Sequence, residues 1–282
     1  MIYEHEIPKG ARLYFGQSAR LKRDIEHLAS DLLYKEGFEE IDTPLFSYHQ
    51  HHYLEDEKEL ITLHDEQNRK LSLRADSTID VVRLITKRLG RSTEHKRWFY
   101  IQPIYRYPTY EYNQIGAEVL ENAEVGEMLR LVLEFFSRIG LKPTLQISNI
   151  QIPKILAKEY GIPLEVLKHM DIDRLLESEQ EWMVKLLYLH SAERIDELLG
   201  IVPQRIEQEL VKIKELADFV NYDNLIVAPL YYANMRYYED LFFRFFCDNA
   251  TLAMGGEYEA AGIEASGFSI YTDFVINRLK GE

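Results

Sequence analysis

Two strand-like runs, Trp98–Arg106 and Tyr112–Leu120, are separated by only a few residues around Pro108-Thr109. No other feature narrows the fold as much. Strands joined by so short a turn run antiparallel, because a parallel return needs a crossover of a dozen residues or more. A second pair precedes it: Ile61–Leu63 and Leu71–Asp76, joined by the polar stretch Asp65–Lys70. In its second run Leu71, Leu73 and Ala75 lie on one face, and Ser72, Arg74 and Asp76 on the other.

Helical periods surround these hairpins. Leu21, Ile25, Leu28 and Leu32 predict an amphipathic helix over 18–36, stopped by Gly37 and followed by a strand that ends at Pro44. Residues 45–58 are polar and irregular, ending in the acidic run Glu55–Glu59 of a solvated loop. Ser77 is placed to cap a helix to Gly90, with Ile79, Val82, Ile85 and Leu89 inward, and a further helix over 123–139 closes at Gly140. Residues 151–221 are rich in Leu, Ile, Glu and Lys at helical spacing and read as a helical insertion. Strand composition returns over 224–254, followed by Gly255-Gly256, a strand near 267–272 and a last helix to Leu279. The expectation is an α+β fold: an antiparallel sheet flanked by helices, with a core of residues 1–150 and 222–282 interrupted by the insertion at 151–221.

Composition excludes several function classes. Of 282 residues 47 are acidic and 33 basic, a net charge of −14, which argues against a protein whose main task is neutralising phosphate backbones, although a local basic patch can hide in the average. No apolar run approaches the roughly 20 residues of a membrane helix. The N-terminus MIYEHEIPKGARLYF has no secretory pattern, so the cytoplasm is the expected compartment. A single cysteine, Cys247, excludes an intrachain disulfide and a Cys-based zinc site, and it reads as packing. His49, His51 and His52 have no carboxylate or cysteine spacing to complete a ligand set, so no metal is expected there. The aromatic run Phe242–Phe246 reads as strand core or interface. No phosphate-binding or dinucleotide glycine motif occurs, and no cofactor is expected.

The order of the short motifs is more telling than any one of them. Leu71-Ser-Leu-Arg-Ala-Asp-Ser-Thr78 follows the first helix and strand; then come Tyr105-Arg106 at a strand end and Asn113-Gln-Ile-Gly-Ala-Glu118. Much later stand Arg236-Tyr-Tyr238, Gly255-Gly-Glu-Tyr258 and Gly267-Phe-Ser-Ile270. This series resembles the catalytic core of class II aminoacyl-tRNA synthetases of the histidyl type, over residues 8–150 and 222–280. That family reads L-R-P-E-x-T, F-R, H-Q-x-G-x-E, Y-Y, G-G-R-Y-D and G-F-x-x-G-x-E-R.

The resemblance implies a site, and the departures imply what it has lost. Arg106 matches the family's motif 2 arginine, but Pro108 stands where its glutamate is expected, the connecting loop is short, and Tyr110 replaces a second basic residue. The motif 3 pair Glu-Arg falls at Asp273-Phe274, the arginine before Tyr-Tyr aligns with Ala233, and Glu257 replaces the arginine of G-G-R-Y-D. An arginine fork grips phosphate bidentately, so a cleft without these cations, and with an anion at Glu257, is expected to have lost adenylation. The amino-acid pocket is better kept. By the resemblance, Asp76, Thr78 and Gln114 meet a substrate ammonium, Glu118 and Tyr238 reach an imidazole, and Tyr258 closes the pocket. Two alternatives stay open: these are polar strand-face groups in a cleft, or Arg236 fills the pocket.

A kept pocket beside a decayed nucleotide site is similar to the ATP phosphoribosyltransferase regulatory subunits, non-catalytic relatives of histidyl-tRNA synthetase. Their L-R-P-D-x-T matches Asp76, with Ala75 departing from both families. The resemblance implies a role in histidine biosynthesis beside a short-form catalytic subunit, dimerisation through the motif 1 region, histidine as a possible ligand, and neither an anticodon-binding domain nor tRNA as partner. The competing reading is an orphan synthetase-like protein that binds or activates an amino acid.

Overall fold

The computed structural model describes residues 6–50, 57–121, 124–177, 180–232, 238–260 and 262–281. Helix α1 (Gly16–Lys35) starts where the Ser18 hydroxyl accepts from Phe15 N at 3.1 Å, and it buries Ile25, Ala29, Leu32 and Leu33. Gly37, at φ +79°, ends it as expected. The chain then gives the short β1 (Glu39–Glu40) and a three-stranded sheet of β2 (Phe46–Ser47), β3 (Thr62–His64) and β4 (Lys70–Leu73), ordered β2-β4-β3.

The two faces of β4 are reversed from what apolar patterning favours. Ser72, Arg74 and Asp76 are buried while Leu71 and Leu73 are half-exposed. Arg74 explains it: its guanidinium donates to the carbonyls of Thr43 (2.6 Å) and Pro103 (2.9 Å), satisfying backbone that no ladder serves. The strand stops at Leu73, and Asp76, not Ser77, caps α2 (Ser77–Leu84) by accepting from Ile79 N at 3.2 Å. The helix then widens into a π turn over Ile85–Leu89 before Gly90.

β5 (Arg97–Arg106) and β6 (Tyr110–Leu120) form the expected hairpin, in register from Arg97↔Val119 to Arg106↔Tyr110. After α3 (Val125–Arg138) comes β7 (Thr144–Asn149), a strand that sequence reading passed over between Gly140 and the helical block. The block is helical: α4 (Gln151–Glu159), α5 (Leu164–Lys168), α6 (Ile172–Leu176), α7 (Glu181–Leu187) and α8 (Gln204–Val220). β8 (Leu225–Val227), β9 (Tyr238–Cys247), β10 (Ala250–Ala260), β11 (Ile263–Tyr271) and α9 (Thr272–Lys280) complete the described chain. Gly255 and Gly256 sit inside β10 and not after a strand, because Gly267 O and the ring of Phe243 crowd the first and Leu241 O the second.

The main sheet has the order β1-β5-β6-β11-β10-β9-β7-β8. Its inner pairs are antiparallel, but β1–β5 and β7–β8 are parallel, so the sheet is mixed where an antiparallel one was expected. The reason lies in the connections. Residues 151–220 carry the chain from β7 back to lie parallel beside it in β8, the kind of crossover a parallel pair requires. One face of the sheet packs on α1, α3, α9 and these helices through Phe99, Ile115, Phe243 and Phe245. The other packs on α2 through Trp98, Tyr100, Phe242 and Tyr258. No helix among the described residues is long and apolar enough to cross a membrane.

Candidate functional site

On the α2 face three glycines make the floor of the site. Gly116 of β6 lies beneath the Tyr100 ring, where an added Cβ would stand 2.2 Å from Cζ. Gly267 of β11 lies beneath the Glu118 carboxylate, at 1.7 Å from Oε2, and Gly256 of β10 packs against Tyr238. Adjacent strands therefore leave room for large polar side chains to lie along the sheet.

Glu118 is the centre of that layer and is fully buried. Tyr258 donates to its Oε2 at 2.6 Å and Tyr100 to its Oε1 at 3.3 Å. Tyr100 in turn lies 3.2 Å from the Thr78 hydroxyl and 2.9 Å from that of Ser269. Burial pushes the Glu118 carboxyl up to about 8, with the negative charge of Asp76 adding to the effect and the hydroxyl donors opposing it. Burial also raises Tyr100 and Tyr258 well above the usual phenol range, so both remain donors at neutral pH. Gln114 stands opposite Tyr271 in the β6–β11 register, and its buried Oε1 meets no partner among the described residues.

The residues singled out from sequence divide into two groups. Thr78, Glu118 and Tyr258 come together directly, with Asp76 close enough to act on Glu118 and Tyr100 electrostatically. Tyr238 pairs with Tyr258 across β9 and β10 and packs edge-on against Phe242 at 4.8 Å. Gln114 lies further along β6, opposite Tyr271, whose phenol feels both Asp76 and Arg106. Arg106 belongs to a second cleft. Tyr100 and Ser269 were missed by sequence reading; the signal was available in the period of β5 and β11, which puts both on the Glu118 face. Arg236, Ala233, His51, His52, Glu55 and Asp56 lie outside the described residues, so the reading in which Arg236 fills the pocket is not addressed.

The second cleft, of about 700 Å³, runs between the β5–β6 hairpin, the β9–β10 turn and α9. Phe274, at the position of the motif 3 arginine, lies 6.1 Å from Tyr112 and 5.9 Å from Tyr271, ring centre to ring centre. Two cations remain in its wall, and both have carboxylate neighbours: Arg106 with Glu59 at 2.9 Å, and Arg278 with Asp248 at 3.4 Å. Arg278 was not singled out from sequence, although it stands one helical turn beyond Phe274. Asp273 is wholly buried and accepts from Tyr14, from Asn113 N at 2.6 Å and from Asn113 Nδ2 at 3.0 Å. Both of its oxygens are thereby committed to structure. Glu257 was expected to bring an anion to this cleft, and it does not face it. It lies in a separate recess with Glu239 and Asp240, on strands whose alternation turns it away, and burial beside Asp240 raises its carboxyl.

Among the described residues no three His, Cys, Asp or Glu side chains converge to hold a metal. The site thus offers a buried carboxyl with phenol and hydroxyl neighbours, and beside it an aromatic cleft that holds two arginines.

Comparison with known proteins places the family and the fold. A family model described as histidyl-tRNA synthetase matches residues 11–275. A protein of Wolinella succinogenes named ATP phosphoribosyltransferase regulatory subunit is 47% identical over 279 residues, covering 99% of this chain and 97% of its own. One of the same name from Helicobacter hepaticus is 40% identical, with 99% of each chain covered. A crystal structure described as an ATP phosphoribosyltransferase regulatory subunit/histidyl-tRNA synthetase from Bacillus halodurans superposes with a TM-score of 0.85 at 20% identity, covering 99% of this chain and 84% of that one. The fold is therefore the class II synthetase core, and the chain belongs to the ATP phosphoribosyltransferase regulatory subunit family within the histidyl-tRNA synthetase lineage.

Proposed function

We propose that this chain is the non-catalytic regulatory subunit of an ATP phosphoribosyltransferase, acting in the first step of histidine biosynthesis. The observation that carries the reading is full-length identity of 47% and 40% to proteins of that name, in a chain whose motif 3 arginine position holds Phe274. Its partner is a short-form catalytic phosphoribosyltransferase, and the complex works in the cytoplasm. Two copies of the chain associate through α1 and the small sheet, where Phe15, Phe46 and Tyr48 are exposed apolar groups.

Histidine is the effector, taken up at Asp76, Thr78, Gln114, Glu118, Tyr238 and Tyr258, with Arg106 at the far end near Tyr271. Two features support this: Glu118 with its ring of hydroxyls suits an imidazole, and the unpartnered Gln114 oxygen suits an ammonium. Regulation requires histidine to bind two states of the complex with different affinity. An orphan ligase that activates an amino acid is the competing reading; the paired arginines and Phe274 count against it.

The decisive experiment purifies the chain with a short-form catalytic subunit and measures the phosphoribosyltransferase rate with and without it, across a histidine titration. A rate indifferent to the chain overturns the proposal, as does ATP–pyrophosphate exchange by the chain alone with any amino acid. Calorimetry of histidine binding, with Glu118→Ala as control, tests the effector separately.

A further inference from the structure

Segment 83–97 has a composition unlike the rest of the chain. It carries six Lys or Arg against one carboxylate, Glu94, in a protein of net charge −14. Three of the cations are committed: Arg83 to Asp80, Lys96 to Glu121 at 2.7 Å, and Arg97 to Glu127 at 2.6 Å. Lys87, Arg88 and Arg91 are exposed and form no ion pair with a described residue. A cluster of unpaired positive charge on a strongly acidic protein is a local field to which anions are drawn.

The same segment encloses a cavity. The π turn over Ile85–Leu89 and the strand entering β5 wall a space of about 440 Å³, lined by Thr86, Thr93, Glu94, His95 and Lys96 with Ile85 on its apolar side. That volume is in the range of small-molecule sites. Single π turns inside helices recur at functional positions, because the extra residue redirects side chains that a regular helix would align. His95 is held from two directions: its ring stands edge-on to Trp98 at 5.3 Å, and its carbonyl accepts from Trp98 Nε1. Yet its Nε2 is shielded from solvent and meets no hydrogen-bonding atom among the described residues. A fixed imidazole nitrogen without a partner carries a desolvation cost that a ligand would remove. The Thr93 hydroxyl accepts from His95 N, so its own proton remains to be donated.

We propose that this cavity is a binding site for a phosphorylated small molecule, distinct from the Glu118 pocket and the aromatic cleft. The Thr93 hydroxyl bonds a phosphoryl oxygen inside the cavity, His95 Nε2 joins it once its ring turns toward the ligand, Lys96 exchanges part of its contact with Glu121 for the ligand, and Lys87, Arg88 and Arg91 supply the surrounding field. A phosphoryl group fits better than a carboxylate because it presents more charge and more acceptor oxygens to this many cations. Glu94 is the one opposing charge in the wall and favours a ligand that reaches past it on the Thr93 side.

The test is calorimetric titration of the full chain at low ionic strength with two probes, inorganic phosphate and inorganic pyrophosphate, which distinguish one phosphoryl group from two. Saturable one-site binding of either probe is expected, weakened at least tenfold by His95→Ala and by Lys96→Gln. Because His95 packs on Trp98, Lys96→Gln at the exposed rim is the variant that keeps the test sound should the other fail to fold. Replacing Lys87, Arg88 and Arg91 together by alanine is expected to flatten the salt dependence of binding. Failure of both probes to saturate, or affinity unchanged in Lys96→Gln, overturns the proposal. So does rim-dependent binding of single-stranded RNA without binding of either probe, which assigns the patch to nucleic acid instead.

Discussion

Glu118 shows how much one buried group can report. Its carboxyl is raised from an ordinary 4.5 to about 8, so between those values the folded chain holds a proton that the unfolded chain has released. Folding stability therefore falls as pH rises through that window. Thermal melts of the wild type are expected to decline from pH 5 to pH 8, and Glu118→Gln, which cannot ionise, to flatten that decline. The ligand's ammonium favours an ionised Glu118, and while the imidazole stays neutral the proton leaves to solvent, so histidine uptake near pH 7 is expected to release a proton; heats measured in buffers of different ionisation enthalpy check this. At the neighbouring Gly267 the constraint is steric. A methyl there meets Glu118 Oε2 at 1.7 Å and Ala117 O at 2.7 Å, so Gly267→Ala is expected to destabilise by about 1–3 kcal/mol or more in denaturant titrations.

Between elements, Gln50 is the clasp that joins the small sheet to α2. Its Oε1 accepts from Ala75 N (3.1 Å) and Asp76 N (2.8 Å), while its Nε2 donates to Asp76 O (2.9 Å) and Asp80 Oδ2 (2.6 Å). Gln50→Leu strands these buried groups together, and a loss of about 2–3 kcal/mol is expected in chemical denaturation. The clasp also marks the limit of what was readable beforehand. Hairpins and long helices announced themselves because turn chemistry and periodicity act locally: Pro108-Thr109 and the α1 stripe needed no tertiary knowledge. β4 did not, since its polar face is buried to serve carbonyls of Thr43 and Pro103 far away in sequence. β7 is short, and its partners β8 and β9 lie about 80–100 residues downstream, so nothing near it signalled a strand. At the site, Glu118, Thr78 and Tyr258 were visible through their motifs, whereas Tyr100 and Ser269 required the register of neighbouring strands. Glu257 was placed on the wrong side because a motif position says nothing about which face its strand presents.

At the scale of the molecule, two large faces of one sheet serve different ends. The face toward α1, α3, α9 and residues 151–220 is apolar and supplies cohesion, whereas the α2 face carries the carboxylates, phenols and arginines. The exposed apolar groups of the small sheet extend this second half outward, and a second copy of the chain is their proposed cover. Phe46→Glu places a charge in that contact and is expected to shift the sedimenting species from dimer to monomer while leaving the melting profile of the subunit near that of the wild type. An unaltered mass would remove this surface from the assembly.

Phe274 forms a triangle of rings with Tyr112 and Tyr271, and its lesson concerns reversibility. A missing charge alone is undone by one codon. Here the vacancy has been settled by aromatic neighbours, and a guanidinium reinstated among them would trade ring contacts for a solvent-hungry cation near Arg106 and Arg278. Departure from ligase chemistry works as a ratchet, each turn locked by the stability of what replaced it.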